Sequence, residues 1–115
     1  MKEVWKDIGN YEGIYKRSNK GRVKRVASPR KNTLLKHQYN NNGYPFVHLS
    51  KKNKRTLHFI HRLVATHYIP NPENKEEVNH IDLDKSNYNI SNLEWVTSSE
   101  NKQHAHMLGV YDKSN

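Results

Sequence analysis

The charge of this chain is divided near its middle, and that division limits how the chain can fold. Residues 1–60 hold fifteen Lys/Arg against three acids (Glu3, Asp7, Glu12), whereas residues 61–115 hold five against eight. An excess of twelve positive charges on about sixty residues is self-repelling in a compact module, so a polyanion is the expected partner, with phosphate backbone first among candidates. A merely solvated basic surface gives the same count, and charge alone does not separate the two. The core must also be small, because Leu, Ile, Val and Phe supply only 24 of 115 residues, with seven Tyr and two Trp to help fill it. That suits one compact domain or two small modules, not an enzyme with a deep substrate cavity. There is no Cys, which excludes disulfides and thiolate zinc sites. No apolar run approaches the roughly 20 residues of a membrane span, and Met1-Lys2-Glu3-Val4-Trp5 lacks the apolar stretch of an export signal. The expectation is a cytoplasmic, intracellular protein with no membrane partner.

Along the chain, Val4 to Ile8 leads into the turn-rich Gly9 to Gly13, and Ile14 to Ser18 and Arg22 to Val26 then read as two strands joined by Asn19-Lys20-Gly21. Strand alternation puts Arg22 and Lys24 together on one face and Val23, with Arg25, on the other, so Val23 faces a core. Residues 28–43 read mainly as connection, with a short strand around Leu34-Leu35. Tyr44 to Ser50 and Arg55 to Phe59 form a second hairpin across the basic tip Lys51-Lys52-Asn53-Lys54. From Ile60 the pattern turns helical through Ile60, Leu63, Val64 and His67-Tyr68 and stops at Ile69-Pro70. Val78 to Asp82 is a short extended piece, Leu83 to Asn92 a polar loop, and Leu93 to Val96 another strand. Thr97-Ser98-Ser99-Glu100 is a capping box that starts a helix near Ser98, ending at Leu108 before Gly109.

The C-terminal segment therefore reads as strand, loop, strand, helix, with His80 on the first strand, Asn92 at the loop's end, and Asn101 and His104 three apart on one helix face. An imidazole titrating near pH 6.5 is a suitable base for activating water. Val78-Asn79-His80-Ile81-Asp82, then Asn87 and Asn89, Ser91-Asn92-Leu93-Glu94-Trp95-Val96-Thr97 and Glu100-Asn101-Lys102-Gln103-His104-Ala105 resemble the HNH endonuclease motif of phage and intron-encoded homing nucleases. The resemblance covers residues 56–106, including the lead-in His61-Arg62-Leu63-Val64-Ala65 and Asn71-Pro72-Glu73-Asn74-Lys75. Residues 4–26 resemble the nuclease-associated module often found ahead of that domain.

What the resemblance implies is an α+β protein in which N-terminal antiparallel β-hairpins precede a ββα-metal module. Residues 1–55 would be a basic DNA-binding module, 56–110 the nuclease domain and 111–115 a tail. It implies cleavage of a phosphodiester in double-stranded DNA with one Mg²⁺ or Mn²⁺ per site. His80 would be the general base, Asn92 would fix the loop and hold His80 through a backbone contact, and Asn101 would bind the ion. Some relatives place an Asp immediately before the base as a second ligand, where this chain has Asn79. A site of Asn79 and Asn101 is neutral, so DNA phosphates must supply anionic ligands. His104 is open between a phosphate contact, the metal shell and local packing. Arg62 is open between a phosphate clamp and a pair with Glu76 or Glu77, and Asp82 and Asp84 read as loop carboxylates. DNA contact is expected from Arg22, Lys24 and Arg25 in the first hairpin and from Lys52, Lys54 and Arg55 in the second. One site per chain favours nicking by a monomer, and two cuts need a dimer or two visits. The alternatives are a DNA-binding or regulatory module without cleavage and, third, an RNA-binding protein.

Overall fold

The computed structural model describes residues 2–107, with side chains as far as His104. Its first sheet has four antiparallel strands in sequence order, β1 (Trp5–Asp7), β2 (Tyr15–Ser18), β3 (Val23–Arg25) and β4 (Thr33–Leu34). The expected first hairpin is therefore its centre, extended on one side by β1, whose sequence gave little strand signal, and on the other by β4, the short strand expected around Leu34-Leu35. Three residues of β1 and two of β4 are too short to show alternation, and they are strands because β2 and β3 offer them edges. Val23 is buried as expected.

The second sheet is β5 (Gln38–Tyr39), β6 (Pro45–Lys51) and β7 (Lys54–Phe59), with β6 central. The connection expected over residues 28–43 thus contains, besides the expected short strand near Leu34, a second one, β5. The β6–β7 turn is tighter than the four-residue tip expected, because Lys51 pairs with Lys54 and only Lys52 and Asn53 cross over, both at positive φ. Helix α1 (Ile60–Tyr68) follows β7 directly and ends at Ile69, ahead of Pro70, which cannot donate to a further turn. Strands β8 (Glu77–His80) and β9 (Leu93–Val96) then form an antiparallel ribbon, and α2 (Ser98–Met107) packs on both. The expected helix end at Leu108 and Gly109 lies outside the described residues. The capping box is present: Glu100 N–H donates to Thr97 Oγ1 at 3.1 Å, and Thr97 N–H donates to a Glu100 carboxylate oxygen at 2.9 Å.

One cluster of buried side chains runs through all of these parts. Ile8, Tyr15 and Val23 from the first sheet and Val47 and Leu49 from β6 meet Ile60, Leu63, Val64 and Ala65 of α1, and the same face of α1 covers Val78 and Leu93 of the ribbon. Burying each of these aliphatic side chains is worth roughly 1.5–3 kcal/mol, which explains how a chain with few of them still holds together. No helix among the described residues is long and apolar enough to cross a membrane.

The loop of the ribbon is also seated on the first sheet. Tyr88 lies against Gly21, the glycine of the β2–β3 turn, which has a φ of +79°. His37 accompanies it, with its Nε2 at 2.9 Å from the Gly21 carbonyl and its ring edge-on to Tyr88. A Cβ at position 21 would overlap the Tyr88 ring, besides straining a left-handed backbone. Gly21→Ala should therefore destabilise the protein by about 1–3 kcal/mol in a urea melt, and an unchanged midpoint would show that Tyr88 is not held there.

Candidate active site

Antiparallel pairing decides which side chains share a face of the β8–β9 ribbon. Val78 opposes Trp95 and His80 opposes Leu93, facing α1; Glu77 opposes Val96 and Asn79 opposes Glu94, facing α2. The α1 side is aromatic and closed. His80 is 5% exposed, its ring centroid 4.9 Å from that of His61 and 5.8 Å from that of Tyr44. His80 Nε2 and His61 Nδ1 are both buried without a hydrogen-bond partner. Burial pushes the His80 imidazole below its usual pKa, opposed in part by the carboxylates of Asp82 and Asp84. His61 is lowered further, to about 4, first by burial and then by His80 and Arg62. Both rings are therefore neutral at pH 7, the form in which an imidazole accepts a proton.

The α2 side is polar and paired. Asn79 Nδ2 donates to Glu94 Oε2 at 2.8 Å, and Asn101 Nδ2, from the first turns of α2, donates to Glu77 Oε1 at 3.0 Å. Ser98 Oγ–H donates to the other oxygen of Glu77, and these two hydrogen bonds hold its carboxyl below the usual range. His104 Nε2 lies 3.1 Å from the Ile81 carbonyl, so its ring ties α2 to the end of β8. A cleft of about 380 Å³ opens beside these residues, lined among others by Tyr44, His61, Arg62, Glu77 and Asn101.

Asn92 braces the loop rather than His80 itself. Its Oδ1 accepts the Asp82 N–H at 2.9 Å, its Nδ2 donates to Asp82 Oδ1 and to the Asn87 carbonyl, and its own carbonyl accepts the Ile81 N–H. The contact expected at His80 thus falls on the two residues after it. Asp82 is a loop carboxylate as expected, its pKa lowered chiefly by the Asn87 amide and by the Asp84 N–H.

Comparison with known proteins matches residues 58–103 to the HNH endonuclease family and residues 3–50 to the NUMOD4 motif. The chain carries an HNH endonuclease domain behind a NUMOD4 motif. It is 38% identical over 110 residues to the DNA endonuclease I-HmuI of Bacillus phage SP01, covering 96% of this chain and 62% of that protein. It is 44% identical over 108 residues to the HNH endonuclease L247 of Acanthamoeba polyphaga mimivirus, covering 90% of this chain and 26% of that protein. A structure solved for DNA binding and cleavage by the HNH homing endonuclease I-HmuI superimposes on 96% of this chain and 62% of its own, with a TM-score of 0.87. The chain thus spans about a quarter of the mimivirus relative and less than two thirds of the phage one.

The cations of the two hairpins divide into held ones, within the NUMOD4 segment, and open ones just after it. Arg22 is ion-paired to Glu3 and lies over Trp5, Lys24 Nζ sits 4.2 Å above the same ring, and Arg25 lies over Tyr15. Lys52, Lys54 and Arg55, on the β6–β7 hairpin between the two family matches, are exposed. Arg62 of the HNH domain forms no ion pair with the carboxylate of Glu76 or Glu77; its guanidinium donates to the Glu76 backbone carbonyl and covers Trp95. Sequence reasoning missed Tyr44, Glu77 and Glu94 and gave His61 no role. Glu77 and Glu94 were within reach of it, because two-residue alternation on β8 and the cross-strand position on β9 put both beside Asn79. Tyr44 and His61 carry no such signal, because a fold-level contact brings them to His80.

His61 also sets an acid limit on stability. Its folded pKa lies below the unfolded value, so its contribution is complete above about pH 6.5 and is lost as pH falls towards 4. Between pH 7 and 4 the protein should lose roughly 2–4 kcal/mol more than His61→Phe does, by urea titration at each pH. Parallel curves for the two proteins would contradict the assignment.

Proposed function

We propose that the protein is a metal-dependent endonuclease that hydrolyses a phosphodiester bond in double-stranded DNA, one strand per visit. The observation that carries this reading is a neutral, buried His80 at the end of β8, next in sequence to Asn79, which with Asn101 of α2 belongs to the polar face of the same ribbon, within an HNH domain. The likeness to I-HmuI, itself a DNA endonuclease, supports it.

In this reading His80 accepts a proton from water as the water oxygen attacks phosphorus. The bond to the 3′ oxygen breaks, and that oxygen takes a proton from solvent, leaving 3′-hydroxyl and 5′-phosphate ends. Asn92 keeps the loop after His80 from shifting, by closing Ile81, Asp82 and Asn87 into one hydrogen-bonded unit. Asn79 and Asn101 suit a hard cation, because their amide nitrogens are turned to carboxylates and their carbonyl oxygens are left for ligation. A divalent ion bound there, Mg²⁺ or Mn²⁺, would neutralise the phosphate and stabilise the departing oxygen. Among the described residues no group of three or more His, Cys, Asp or Glu could hold a metal. DNA phosphate oxygens would therefore complete the ligand set. His104, engaged with Ile81, supports the strand end instead.

For duplex DNA the exposed Lys52, Lys54 and Arg55 serve as the approach surface, and Lys24, Arg25 and Arg62, steadied on aromatic rings, as ordered contacts. Arg22 contributes least, its charge being matched by Glu3. A DNA-binding protein without cleavage is the second reading, and the neutral Asn79 is the observation that favours it.

Isothermal titration of the DNA-free protein should show weak binding of Mg²⁺ or Mn²⁺, and tight binding would contradict the shared ligand set. The deciding assay is incubation with supercoiled plasmid in Mg²⁺, Mn²⁺ or EDTA, beside a His80→Ala control. Metal-dependent open circles that vanish in the control are expected. No conversion, with plasmid still retarded on a gel, would favour the binding module.

A further inference from the structure

We infer that Glu77 and Glu94 are positioning residues that orient the two asparagines of the site, each carboxylate setting which end of its amide is presented outward. The inference rests on the proposed metal site. An amide is ambivalent, since one end donates hydrogen bonds and the other accepts them, and the two ends are nearly the same size. A carboxylate only accepts. Glu94 Oε2, 2.8 Å from Asn79 Nδ2, and Glu77 Oε1, 3.0 Å from Asn101 Nδ2, are therefore satisfied only when each asparagine turns its NH₂ group inward. Each carbonyl oxygen then points away from its carboxylate. Glu77 cannot easily release Asn101, because its second oxygen is engaged by Ser98 Oγ–H.

The pairs do more than choose an orientation. Hydrogen bonding to an anion draws positive character onto the NH₂ group and leaves the carbonyl oxygen more electron-rich, hence a better donor to a hard cation. Two negative charges also stand one hydrogen bond behind a pair of neutral ligands. Asn79 itself is 5% exposed, so the carboxylate opposite it on β9 is its fixed neighbour rather than one of many rotamers.

The test exchanges the two roles across the ribbon. Asn79→Asp alone sets two carboxylates against each other and should lower the melting temperature. Adding Glu94→Gln supplies an NH₂ group opposite the new carboxylate and should restore it. In that double variant an anionic ligand is held outward, and Mn²⁺ binding without DNA, followed by the electron paramagnetic resonance of free Mn²⁺, should tighten by about tenfold or more over the parent. A double variant that melts like the parent and binds Mn²⁺ no better overturns the inference. Two single variants guard against misfolding of the double one. Glu94→Gln and Glu77→Gln, whose new amides no longer dictate the asparagine's orientation, should each need roughly 10- to 100-fold more Mn²⁺ for half-maximal plasmid nicking. An unchanged Mn²⁺ requirement in both, with the parent nicking normally, would overturn the positioning role and leave the nuclease reading intact. Failure of the parent itself to nick in any metal would remove both.

Discussion

The apolar stripe of α1, formed by Ile60, Leu63, Val64 and Ala65, is buried against strands from both halves of the chain, and the placement of every site residue depends on it. His61 follows Ile60 and so enters the cleft where the stripe fixes it. His80 reaches His61 only because Val78 and Leu93 dock the ribbon on the same helix. Arg62, on the outer side, closes over Trp95, whose indole N–H is held by the Ile69 carbonyl just beyond the helix end. A chain with so few aliphatic residues supports a continuous core more readily than two separate ones, since burial relative to surface falls quickly with module size.

The site is built against the electrostatic grain of the chain. A strongly basic protein gathers its acidic residues in the C-terminal half, and Glu77 and Glu94 lie there, turned toward amides. Opposite them the two imidazoles are stripped of water and so carry no charge at neutral pH. The result is a locally neutral or negative pocket within a positive molecule. Such a pattern attracts a polyanion from a distance while leaving room for a cation at the point of contact.

Most of this plan was legible in the residues, but unevenly. The helix over Ile60–Tyr68, the strand Leu93–Val96 and the capping box at Thr97 and Glu100 follow from spacing and local hydrogen bonding, which act within a few residues and leave a pattern. β1 and β5 left almost none, since strands of two or three residues are defined by the edges they meet, while β4 showed only through Leu34-Leu35. The positions of His80, Asn92 and Asn101 came through motif resemblance, whereas the environment of His80 did not. Its partner Tyr44 lies just ahead of β6 in another sheet, and the docking of α1 brings them together. Likewise the cation–π seats of Lys24 on Trp5 and Arg25 on Tyr15 depend on β2 pairing with β1 on one side and β3 on the other, so counting charges could not show which were held.

The seating of Tyr88 on Gly21 bears on how separable the two segments are. Their boundary in sequence suggests parts that could be exchanged like beads on a string, yet a residue of the loop that follows His80 rests in a notch cut into the β2–β3 turn. A chimera joining this ribbon to a different N-terminal module would have to bring its own side-chain-free notch at the same height. Otherwise the loop braced by Asn92 would be pushed outward at its far end. Modularity here is a property of the sequence order, and the three-dimensional joint is a fitted one.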